Sequence, residues 1–540
     1  MRSTMMQTPL TIHHLIERAA LLFSHVEVVS QTPAKALVRH TYADIYRRAR
    51  GLAFALQRSG LNPGDRVATL MWNHHVHMEA YFGVPMVGGV YHTLNPRLSP
   101  EDMAYVIDHA ADRYIIVDDT LFPLIARIRD RIDLEKVIVV GWNEGALPNG
   151  CDDYRDYGDA VPPEGWSFPE VSEDAPVGIC YTSGTTGTPK GVVYSHRAIV
   201  LHSFASALPD ALNLSQSDTL CPVVPMFHVN AWGLPFTAAM TGSKLVYPGP
   251  HLDPEALLNL YVEEKVNVSA GVPTIWMGIL KLMEADPERW TLSPNMRMIV
   301  GGAAAPVSMI EHMGKYGMYV VHAWGMTETT PLGTVSNLQP RHVEMSEEER
   351  LAIRAKQGLP SPFVEVRALD DEGNPVPWNG KTMGELQARG PWIAAGYHLD
   401  EQADEKWTED GWFRTGDVVT IDAGGYIEIT DRTKDLVKSG GEWISSVALE
   451  NALMGHADVA EAAVVAVPDS KWGERPVAVV VARDGRTIDE SALRAYLGER
   501  FEKFWLPDAF EVRDSIPRGA TGKFLKRQLR EELRPSRGSG

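Results

Sequence analysis

The stretch of sequence that is most informative about the fold is Tyr181-Thr182-Ser183-Gly184-Thr185-Thr186-Gly187-Thr188-Pro189-Lys190-Gly191. Its glycines allow a tight turn with exposed backbone N–H groups, its hydroxyls add donors, and Lys190 adds a positive charge. A loop that cradles a polyphosphate needs these groups. It is not a Walker A loop, because Lys190 follows Pro189 and precedes Gly191 instead of Ser or Thr. The alternative is a Gly- and Thr-rich surface loop, which the density of donors disfavours.

The chain before this loop alternates helical periods with short apolar runs. Tyr42–Ser59 has the spacing of an amphipathic helix, whereas Arg66–Leu70, Tyr114–Val117 and Lys136–Val140 have the composition of buried strands. Helices between short β-branched runs predict parallel sheets with crossover helices, so the fold class is α/β. Gly141–Asp174 is rich in Gly, Pro and acidic residues and is predicted to be a surface excursion.

The pattern of residue types changes in the second half of the chain. Ser346–Gln357 is predicted to be a charged helix, in which Ser346 and Glu349 form a capping box. After Pro360, short strands and turn signals predict a small β-rich unit.

A charged segment near Asp431 precedes a stretch whose strand and helix patterns are typical of a small α+β domain. Ala462–Val467 and Val477–Val481 are predicted strands, and Glu490–Phe504 is a predicted helix. We therefore predict an N-terminal domain over residues 1–430, with two α/β subdomains and a small β-rich subdomain. A hinge over 431–434, a small C-terminal domain over 435–533 and a disordered tail over 534–540 would follow.

Composition and charge limit the function. The 540 residues are 44% hydrophobic and 22% charged, which excludes wholesale disorder. A net charge of −19 excludes nucleic-acid binding as a main role. From Asp431 onward 18 basic and 18 acidic side chains balance, so the first 430 residues hold the whole acidic excess. An anionic ligand would meet less repulsion in the C-terminal part.

The sequence also indicates a compartment. The cysteines, Cys151, Cys180 and Cys221, are too few for a disulfide framework and suit a reducing environment. Met1–Leu10 has no apolar run long enough for secretion, and no stretch approaches the ~18–20 apolar residues of a membrane-spanning helix. We expect a cytoplasmic protein without a transmembrane segment.

Further motifs follow the Gly- and Thr-rich loop in a recognisable order. They are His322-Ala323-Trp324-Gly325-Met326-Thr327-Glu328-Thr329, Thr415-Gly416-Asp417, Asp431 to Lys438, and Pro517-Arg518-Gly519-Ala520-Thr521-Gly522-Lys523. Together with the loop they resemble the signature of the adenylate-forming superfamily, which contains acyl-CoA synthetases, luciferases and peptide-synthetase adenylation domains. The resemblance covers nearly the whole chain. It implies a large N-terminal domain and a small, mobile C-terminal domain.

The resemblance also implies roles for individual residues. Lys523, Glu328, Thr186 and His228 would be catalytic, and Thr186 and Glu328 would hold Mg²⁺. Trp324 would stack on adenine, and Asp417 would accept the ribose hydroxyls with help from Arg432. The implied contacts to ATP and CoA are Thr182, Ser183, Gly184, Thr185, Thr186, Lys190, Gly302, Ala303, His322, Trp324, Gly325, Met326, Thr327, Asp417, Arg432, Lys434, Lys438, Gly440, Gly441, Glu442, Trp443 and Lys523.

One stretch discriminates within the superfamily. Pro225-Met226-Phe227-His228-Val229-Asn230-Ala231-Trp232 resembles fatty-acyl-CoA synthetases, in which an equivalent tryptophan gates the acyl tunnel. The implied acid pocket contains His228, Trp232, Gly301 and Gly302. Gly440-Gly441-Glu442-Trp443-Ile444-Ser445 resembles their CoA-side segment. The likeness extends to medium-chain fatty-acid and 3-methylmercaptopropionate–CoA ligases.

The implied reaction has two halves, and it leaves alternatives open. A carboxylate attacks the α-phosphate of ATP, and the thiol of CoA then displaces AMP from the acyl-adenylate. Lys523 would orient the first attack, and rotation about a pivot at Lys434 or Asp431 would then admit CoA. The acid is predicted to be a medium- to long-chain fatty acid. The alternatives are 3-methylmercaptopropionate or an aryl acid, an enzyme that loads a carrier protein, and a non-catalytic binding protein.

Two further expectations complete the prediction. A homodimer is implied by likeness to fatty-acyl relatives. His74-His75-x-His77 is tempting as a metal cluster, but it lacks a partnering ligand pattern, and we expect a solvated loop and helix start there.

Overall fold

The structure is a computed structural model that describes residues 1, 3–143, 145–182, 188–400, 405–440, 442–518 and 524–533. Contacts between residues divide the chain into two units. Unit 1 comprises Met1–Ala305, Met309–Glu365 and Arg389–Phe413, and unit 2 comprises Pro306–Ser308, Val366–Ala388 and Arg414–Gly540. Within the described ranges, every helix is too short or too polar to cross a lipid bilayer.

The strands of the described residues form four sheets. In chain order they are β1 (Glu27–Gln31), β2 (Leu37–Thr41), β3 (Arg66–Leu70), β4 (Val90–Thr93), β5 (Asp112–Asp118), β6 (Lys136–Val140), β7 (Asp152–Asp153), β8 (Pro176–Tyr181), β9 (Gly191–Ser195), β10 (Thr219–Pro222), β11 (Lys244–Tyr247), β12 (Val268–Gly271), β13 (Met296–Val300), β14 (Met318–Gly325), β15 (Leu332–Ser336), β16 (Leu359–Pro360), β17 (Glu365–Leu369), β18 (Gly384–Arg389), β19 (Phe413–Ile421), β20 (Ile427–Arg432), β21 (Val437–Ser439), β22 (Glu442–Ile444), β23 (Val459–Asp469), β24 (Gly473–Ala482) and β25 (Ala509–Val512).

The helices connect and cover these strands. They are α1 (His13–Leu22), α2 (Tyr42–Arg58), α3 (His75–Met86), α4 (Pro100–Ala110), α5 (Phe122–Ala126), α6 (Arg155–Gly158), α7 (His196–Ala207), α8 (Val229–Trp232), α9 (Leu234–Thr241), α10 (Pro254–Glu264), α11 (Pro273–Ala285), α12 (Val307–Lys315), α13 (Glu347–Ala355), α14 (Ser446–Met454), α15 (Glu490–Gly498) and α16 (Lys526–Glu532).

Unit 1 contains two large, mostly parallel sheets. One has the strand order β7-β6-β5-β3-β4-β8-β9, in which only the β8–β9 pair is antiparallel among its described strands. The other has the order β16-β15-β14-β13-β12-β10-β11-β1-β2 and is parallel from β14 to β1. These sheets confirm the α/β prediction. Carboxyl ends of parallel strands meet at one edge of a sheet, where such folds place ligands.

Helix α2 shows how local sequence fixes an element of unit 1. Thr41 and Asp44 form a capping box at its start. Ile45, Leu52 and Leu56 recur at helical spacing and are fully buried. The helix predicted over Tyr42–Ser59 is therefore confirmed, as are the strands β3, β5 and β6 and the capped helix α13.

Two expectations for individual segments were partly wrong. Within Gly141–Asp174, β7 pairs with β6, and Tyr154 and Tyr157 are buried, so part of the predicted excursion returns to the sheet. Helix α15 ends at Gly498 instead of Phe504. The chain turns there because Phe501 and Trp505 stack with ring centroids 5.5 Å apart against the unit 2 core.

Unit 2 contains two smaller sheets. Most of the residues of β17-β18-β19-β20 belong to it, and β22-β21-β24-β23 forms the second sheet with β25 parallel to β24. These sheets confirm the predicted β-rich unit and the α+β pattern after it. The domain boundaries at residues 430, 434 and 533 stay a prediction, and residues 534–540 lie outside the described ranges.

Candidate active site

The Gly- and Thr-rich loop joins β8 to β9, whose ends pair at Tyr181 and Gly191. The Thr182 N–H donates to the Lys190 carbonyl at 2.9 Å, and the Lys190 N–H donates to Thr182 Oγ1 at 3.1 Å. These two hydrogen bonds close the base of the loop. Its tip, Ser183, Gly184, Thr185, Thr186 and Gly187, lies outside the described residues.

The Lys190 side chain is held by an acid and an aromatic ring of the same unit. Its Nζ lies 2.8 Å from Asp400 Oδ2 and 5.0 Å from the centroid of the Tyr397 ring. A cation at this distance from a ring face is attracted by the ring's electron density. The ammonium group therefore has a fixed position at the base of the loop.

Glu328 lies on a 3₁₀ turn, Thr327–Thr329, directly after β14. The turn is fixed by hydrogen bonds from the Met326 N–H to Thr329 Oγ1 (2.9 Å) and from the Tyr194 hydroxyl to the Thr327 carbonyl (2.9 Å). The Glu328 residue is only 5% exposed. The fold therefore places a nearly buried carboxylate at the carboxyl end of a parallel strand.

The Glu328 carboxylate receives a neutral partner. The Tyr397 hydroxyl donates to Glu328 Oε1 at 2.6 Å, and the Ala394 N–H donates to the Glu328 carbonyl at 2.8 Å. Burial, followed by the nearby Glu328 charge, raises the pKa of the Tyr397 phenol, which therefore stays a proton donor. Among the described residues, no cationic side chain lies within 4 Å of this carboxylate.

The residues predicted to bind adenine lie on β14. Trp324 is 6% exposed and packs on Gly333 of β15, where a Cβ would lie 2.3 Å from the indole ring. His322 is buried, its Nδ1 lies 2.9 Å from the Ala355 carbonyl, and burial lowers its pKa to about 4. The fold thus holds the Trp324 ring rigidly and keeps His322 neutral.

The predicted acid pocket brings Trp232 and Gly301 together. A Cβ on Gly301 would lie 3.1 Å from Cη2 of Trp232, so the indole lies directly against the end of β13. Gly302 follows with φ +76° and Ala303 is exposed. His228 is half-buried at the start of the Trp232 segment.

The segment that carries Trp232 has an unusual backbone. From Val229 to Trp232, φ is +46°, +55°, +50° and +57°, and Gly233 follows with φ +72°. A left-handed turn costs non-glycine residues about 1–2 kcal/mol each. Local strain of this kind clusters at functional sites. The sequence prediction of a functional stretch here did not anticipate the turn.

In unit 2, Asp417 and Arg432 face each other across β19 and β20. Asp417 is 3% exposed, and Arg432 Nε lies 3.3 Å from its Oδ1. Lys434 follows and is exposed, but partial desolvation by the surrounding protein lowers its pKa. The ribose residues implied by the resemblance are therefore neighbours.

The predicted CoA-side segment forms a hairpin of unit 2. Lys438 Nζ lies 5.2 Å from the centroid of the Trp443 ring and 3.6 Å from Asp371 Oδ2. Gly440 has φ +61° and packs on Trp472, where a Cβ would lie 2.8 Å from the ring. Gly441 and the side chain of Glu442 lie outside the described residues.

The segment predicted to carry the catalytic lysine is described only at its two ends. Arg518 and Phe524 form an isolated β-bridge, and the Leu525 N–H donates to the Pro517 carbonyl at 2.9 Å. Lys523 itself lies outside the described residues, so its role stays a prediction.

Comparison with known families decides what the chain is. The AMP-binding enzyme family matches residues 17–398, and the AMP-binding enzyme C-terminal domain matches residues 448–523. The chain belongs to the AMP-binding enzyme family. The predicted membership of the adenylate-forming superfamily is thereby confirmed.

Several curated relatives match this AMP-binding enzyme over nearly its full length. It is 50% identical over 534 residues to the long-chain-fatty-acid–CoA ligase of Thermus thermophilus, which covers 98% of this chain and 97% of the relative. It is 44% identical to the 3-methylmercaptopropionyl-CoA ligase of Ruegeria pomeroyi (99% of each). It is 43% identical to the medium-chain-fatty-acid–CoA ligase of Ectopseudomonas oleovorans (98% and 97%).

Solved structures show the same fold. The ATP-bound MatB of Rhodopseudomonas palustris superimposes with a TM-score of 0.80 at 27% identity, over 96% of this chain and 98% of MatB. The anthranilate CoA ligase AuaEII in complex with anthranoyl-AMP gives a TM-score of 0.86 at 23% identity, over 98% and 99%, which shows the fold alone.

The expectation of a solvated histidine stretch was wrong for this AMP-binding enzyme. His75 does begin α3, but His74, His75 and His77 are all buried. Each imidazole meets a different partner, namely Asp118, Ser30 and Thr69 respectively. These contacts satisfy polar atoms that burial would otherwise leave without hydrogen bonds.

Sequence reasoning missed Tyr397 and Asp400, which contact Glu328 and Lys190. Tyr397 lies 69 positions after Glu328, and its surroundings in the sequence, Gly396-Tyr397-His398, carry no motif recognisable by spacing alone. Only the fold brings this segment to the loop and the glutamate turn.

Proposed function

We propose that this AMP-binding enzyme is an AMP-forming acid–thiol ligase that uses ATP to join medium- to long-chain fatty acids to CoA. Full-length relatives that are named as CoA ligases of carboxylic acids support the class of reaction. One structural observation carries the proposal: Lys190 and Glu328 converge on Tyr397. A fixed cation and an uncompensated carboxylate suit a triphosphate and the divalent cation that accompanies it.

In the first half-reaction, a carboxylate oxygen of the acid attacks the α-phosphorus of ATP. The bond between that phosphorus and the bridging oxygen breaks, and pyrophosphate leaves with the electron pair. The two reactants are both anions, so cations and N–H donors must offset their repulsion. Lys190 at the base of the loop would hold the phosphates, and Lys523 would orient the acid and the α-phosphate.

The residues around Glu328 fit a magnesium ion. Mg²⁺ prefers oxygen ligands and binds through one or two carboxylates together with substrate phosphates. Glu328 offers a nearly buried carboxylate with a hydrogen bond on only one oxygen among the described contacts. Glu328 would therefore hold Mg²⁺, and the family resemblance adds Thr186 as its second ligand. When bound, the ion would neutralise part of the phosphate charge.

In the second half-reaction, the sulfur of CoA attacks the acyl carbonyl carbon. The carbon–oxygen bond to AMP breaks, AMP leaves with the electron pair, and the thiol proton passes to solvent. Lys438, Gly440 and Trp443 are the proposed contacts for CoA. We propose that residues 435–533 move about the 431–434 hinge between the two halves, with Lys434 as the pivot.

The nucleoside would be bound by Trp324, which stacks on adenine, and by Asp417, which accepts the ribose hydroxyls beside Arg432. The acid would enter beside Trp232 and Gly301, with His228 at the pocket. Pocket length decides between a fatty acid and the alternative, a short acid such as 3-methylmercaptopropionate. The relatives support both, because they include ligases of both names.

A screen of pyrophosphate release tests the proposal. Straight-chain acids of graded length are supplied with ATP, with and without CoA, and acyl-CoA is quantified. We expect acid-dependent pyrophosphate release, stoichiometric acyl-CoA, and a kcat/KM that rises with chain length beyond six carbons, since each buried methylene contributes about 0.8 kcal/mol. A maximum at four carbons or fewer would overturn the fatty-acid assignment. Acylation of a carrier protein instead of CoA would overturn the ligase class.

We also propose a compartment and an assembly state. The described cysteines are free thiols, and two of them are buried, which supports a reducing compartment such as the cytoplasm. A homodimer stays a prediction, and light scattering on the purified chain tests it.

A further inference from the structure

One short segment of unit 1 is hydrogen-bonded to both halves of the proposed Mg·ATP site. The Ala394 N–H donates to the Glu328 carbonyl, and the His398 N–H donates to the carbonyl of Gly191, where the loop strand β9 begins; both distances are 2.8 Å. The Trp407 indole N–H donates to the Ala394 carbonyl at 2.7 Å. Backbone contacts therefore fix where Tyr397 stands.

The Tyr397 side chain separates two groups of opposite charge. Its hydroxyl donates to Glu328 Oε1 at 2.6 Å, and its ring lies 5.0 Å from Lys190 Nζ. The ion-pair partner of Lys190 among the described residues is Asp400, not Glu328. If Lys190 paired with Glu328 directly, the carboxylate would lose its attraction for a metal ion and the ammonium its attraction for phosphate.

We propose that Tyr397 is a positioning residue: its hydroxyl holds Glu328 through one carboxylate oxygen, so that the other oxygen is presented to Mg·ATP. The inference rests on the proposed function, because it assigns Glu328 to the metal. Hydrogen-bonded partners of metal ligands fix the orientation of the ligand, and their loss typically costs 10- to 100-fold in metal affinity. Tyr397 would therefore act through Glu328, without contacting the reacting atoms.

The test is equilibrium binding of α,β-methylene-ATP to the full chain by calorimetry. The methylene bridge of this analogue cannot be cleaved, so it cannot transfer its adenylyl group to an acid. Each protein is titrated in excess Mg²⁺ and again in EDTA. Tyr397→Phe keeps the ring beside Lys190 and removes only the hydroxyl. We expect the Kd for the magnesium complex to rise at least tenfold and the Kd in EDTA to change less than twofold.

Tyr154→Phe is the matched control, because the Tyr154 hydroxyl donates to the buried carboxylate of Glu79 at the same distance, 2.6 Å. If the loss of any buried tyrosine–glutamate hydrogen bond weakens nucleotide binding, both variants will show the higher Kd. We expect Tyr154→Phe to bind both forms of the nucleotide as the wild type does. Equal weakening of both forms in Tyr397→Phe would mean a merely structural role and would overturn the inference.

A double-mutant cycle shows whether Tyr397 acts through Glu328. In a Glu328→Gln background, Tyr397→Phe is expected to change the Kd of the magnesium complex less than twofold. A tenfold effect that persists there would overturn the inference. If Tyr397→Phe binds the magnesium complex as tightly as the wild type does, and the wild type forms acyl-CoA, the inference is overturned while the proposed function stands. A wild type without acid-dependent pyrophosphate release would instead overturn the proposed function.

Discussion

Two buried glutamates, Glu328 in unit 1 and Glu450 in unit 2, differ in the partners that the fold gives them. Glu328 accepts a hydrogen bond from the neutral Tyr397 hydroxyl. Glu450 Oε1 lies 2.6 Å from the Lys526 ammonium and accepts the Val464 N–H at 2.6 Å. Burial of a charge is costly unless the charge is compensated. A carboxylate without a cation therefore indicates a ligand site, whereas a compensated one indicates a structural role.

The compensated cluster of unit 2 joins three parts of the chain that are distant in sequence. Lys526 Nζ donates to Ser446 Oγ at 2.7 Å, and the Ser446 N–H donates to Asp431 Oδ2 at 2.5 Å. Burial raises the pKa of Asp431, and the nearby Lys526 opposes that rise. The cluster thus ties the predicted hinge segment to the helix that follows the predicted catalytic lysine.

Removal of Lys526 gives the largest expected effect on stability. Lys526→Met leaves Glu450 and Asp431 buried without their cation, which should cost about 3–5 kcal/mol in the free energy of unfolding. Urea denaturation at pH 7 measures this loss. Arg527→Met is the control. Among the described residues Arg527 pairs only with Glu531, in an exposed ion pair, and its loss should change stability by less than about 0.5 kcal/mol. A loss below about 1 kcal/mol for Lys526→Met would contradict a structural role.

Lys523 and Lys526 are three positions apart, and the comparison predicts opposite consequences for them. If Lys523 has the proposed role, Lys523→Ala should lower the rate of adenylation about 100- to 1000-fold, because a charge that offsets the repulsion between the two anions is lost. Because lysine side chains are seldom fully buried, we expect the free energy of unfolding to change by less than about 0.5 kcal/mol. Thioesterification of a supplied acyl-adenylate should stay within several-fold of the wild-type rate. Equal loss of both half-reactions would contradict separate conformations for the two steps.

The pH dependence of the free energy of unfolding tests the environment of Glu450 in unit 2. Burial raises the pKa of Glu450 to about 7, from 4.5 in an unfolded chain. The nearby Lys526 ammonium opposes this shift without cancelling it. The folded state therefore binds this proton more tightly than the unfolded chain does, and stability should fall as pH rises from about 4.5 to 7. Denaturation curves across this range are compared with those of Glu450→Gln, in which this slope should be absent. An identical slope in both proteins would contradict the assignment.

Local sequence was sufficient where a local rule determines the structure. The capping box of Thr41 and Asp44, and the apolar spacing after it, defined α2. In the same way Ser346 and Glu349 defined α13. The ordered motifs also identified the family correctly, because each motif lies within one stretch of chain.

Contacts between distant residues could not be predicted in this way. His74 is buried against Asp118, 44 positions away, and the hydroxyl of Tyr397 meets a carboxylate 69 positions away. The left-handed turn from Val229 to Gly233 is equally hidden, because β-branched and aromatic residues seldom adopt positive φ. In each case packing of the folded chain outweighs the local preference.

The smallest expected effect concerns the acid pocket. A Cβ on Gly301 would lie 3.1 Å from Cη2 of Trp232, so Gly301→Ala should displace the indole by a few tenths of an ångström. We expect kcat/KM for long acids to fall about tenfold, which is the lower end of the effect that one methylene has in a hydrophobic pocket. The KM for CoA should stay unchanged. Activity assays over acids of 4 to about 16 carbons measure the change.

Gly314→Ala provides the matched control for this substitution. Gly314 lies in the same unit, on α12, and a Cβ there would have no neighbour within 4 Å. Its chain-length profile should therefore equal that of the wild type, and its stability should rise slightly, because alanine favours a helix. If both variants kept the wild-type profile, Trp232 would not line the acid pocket, and the left-handed turn that carries it would need another explanation.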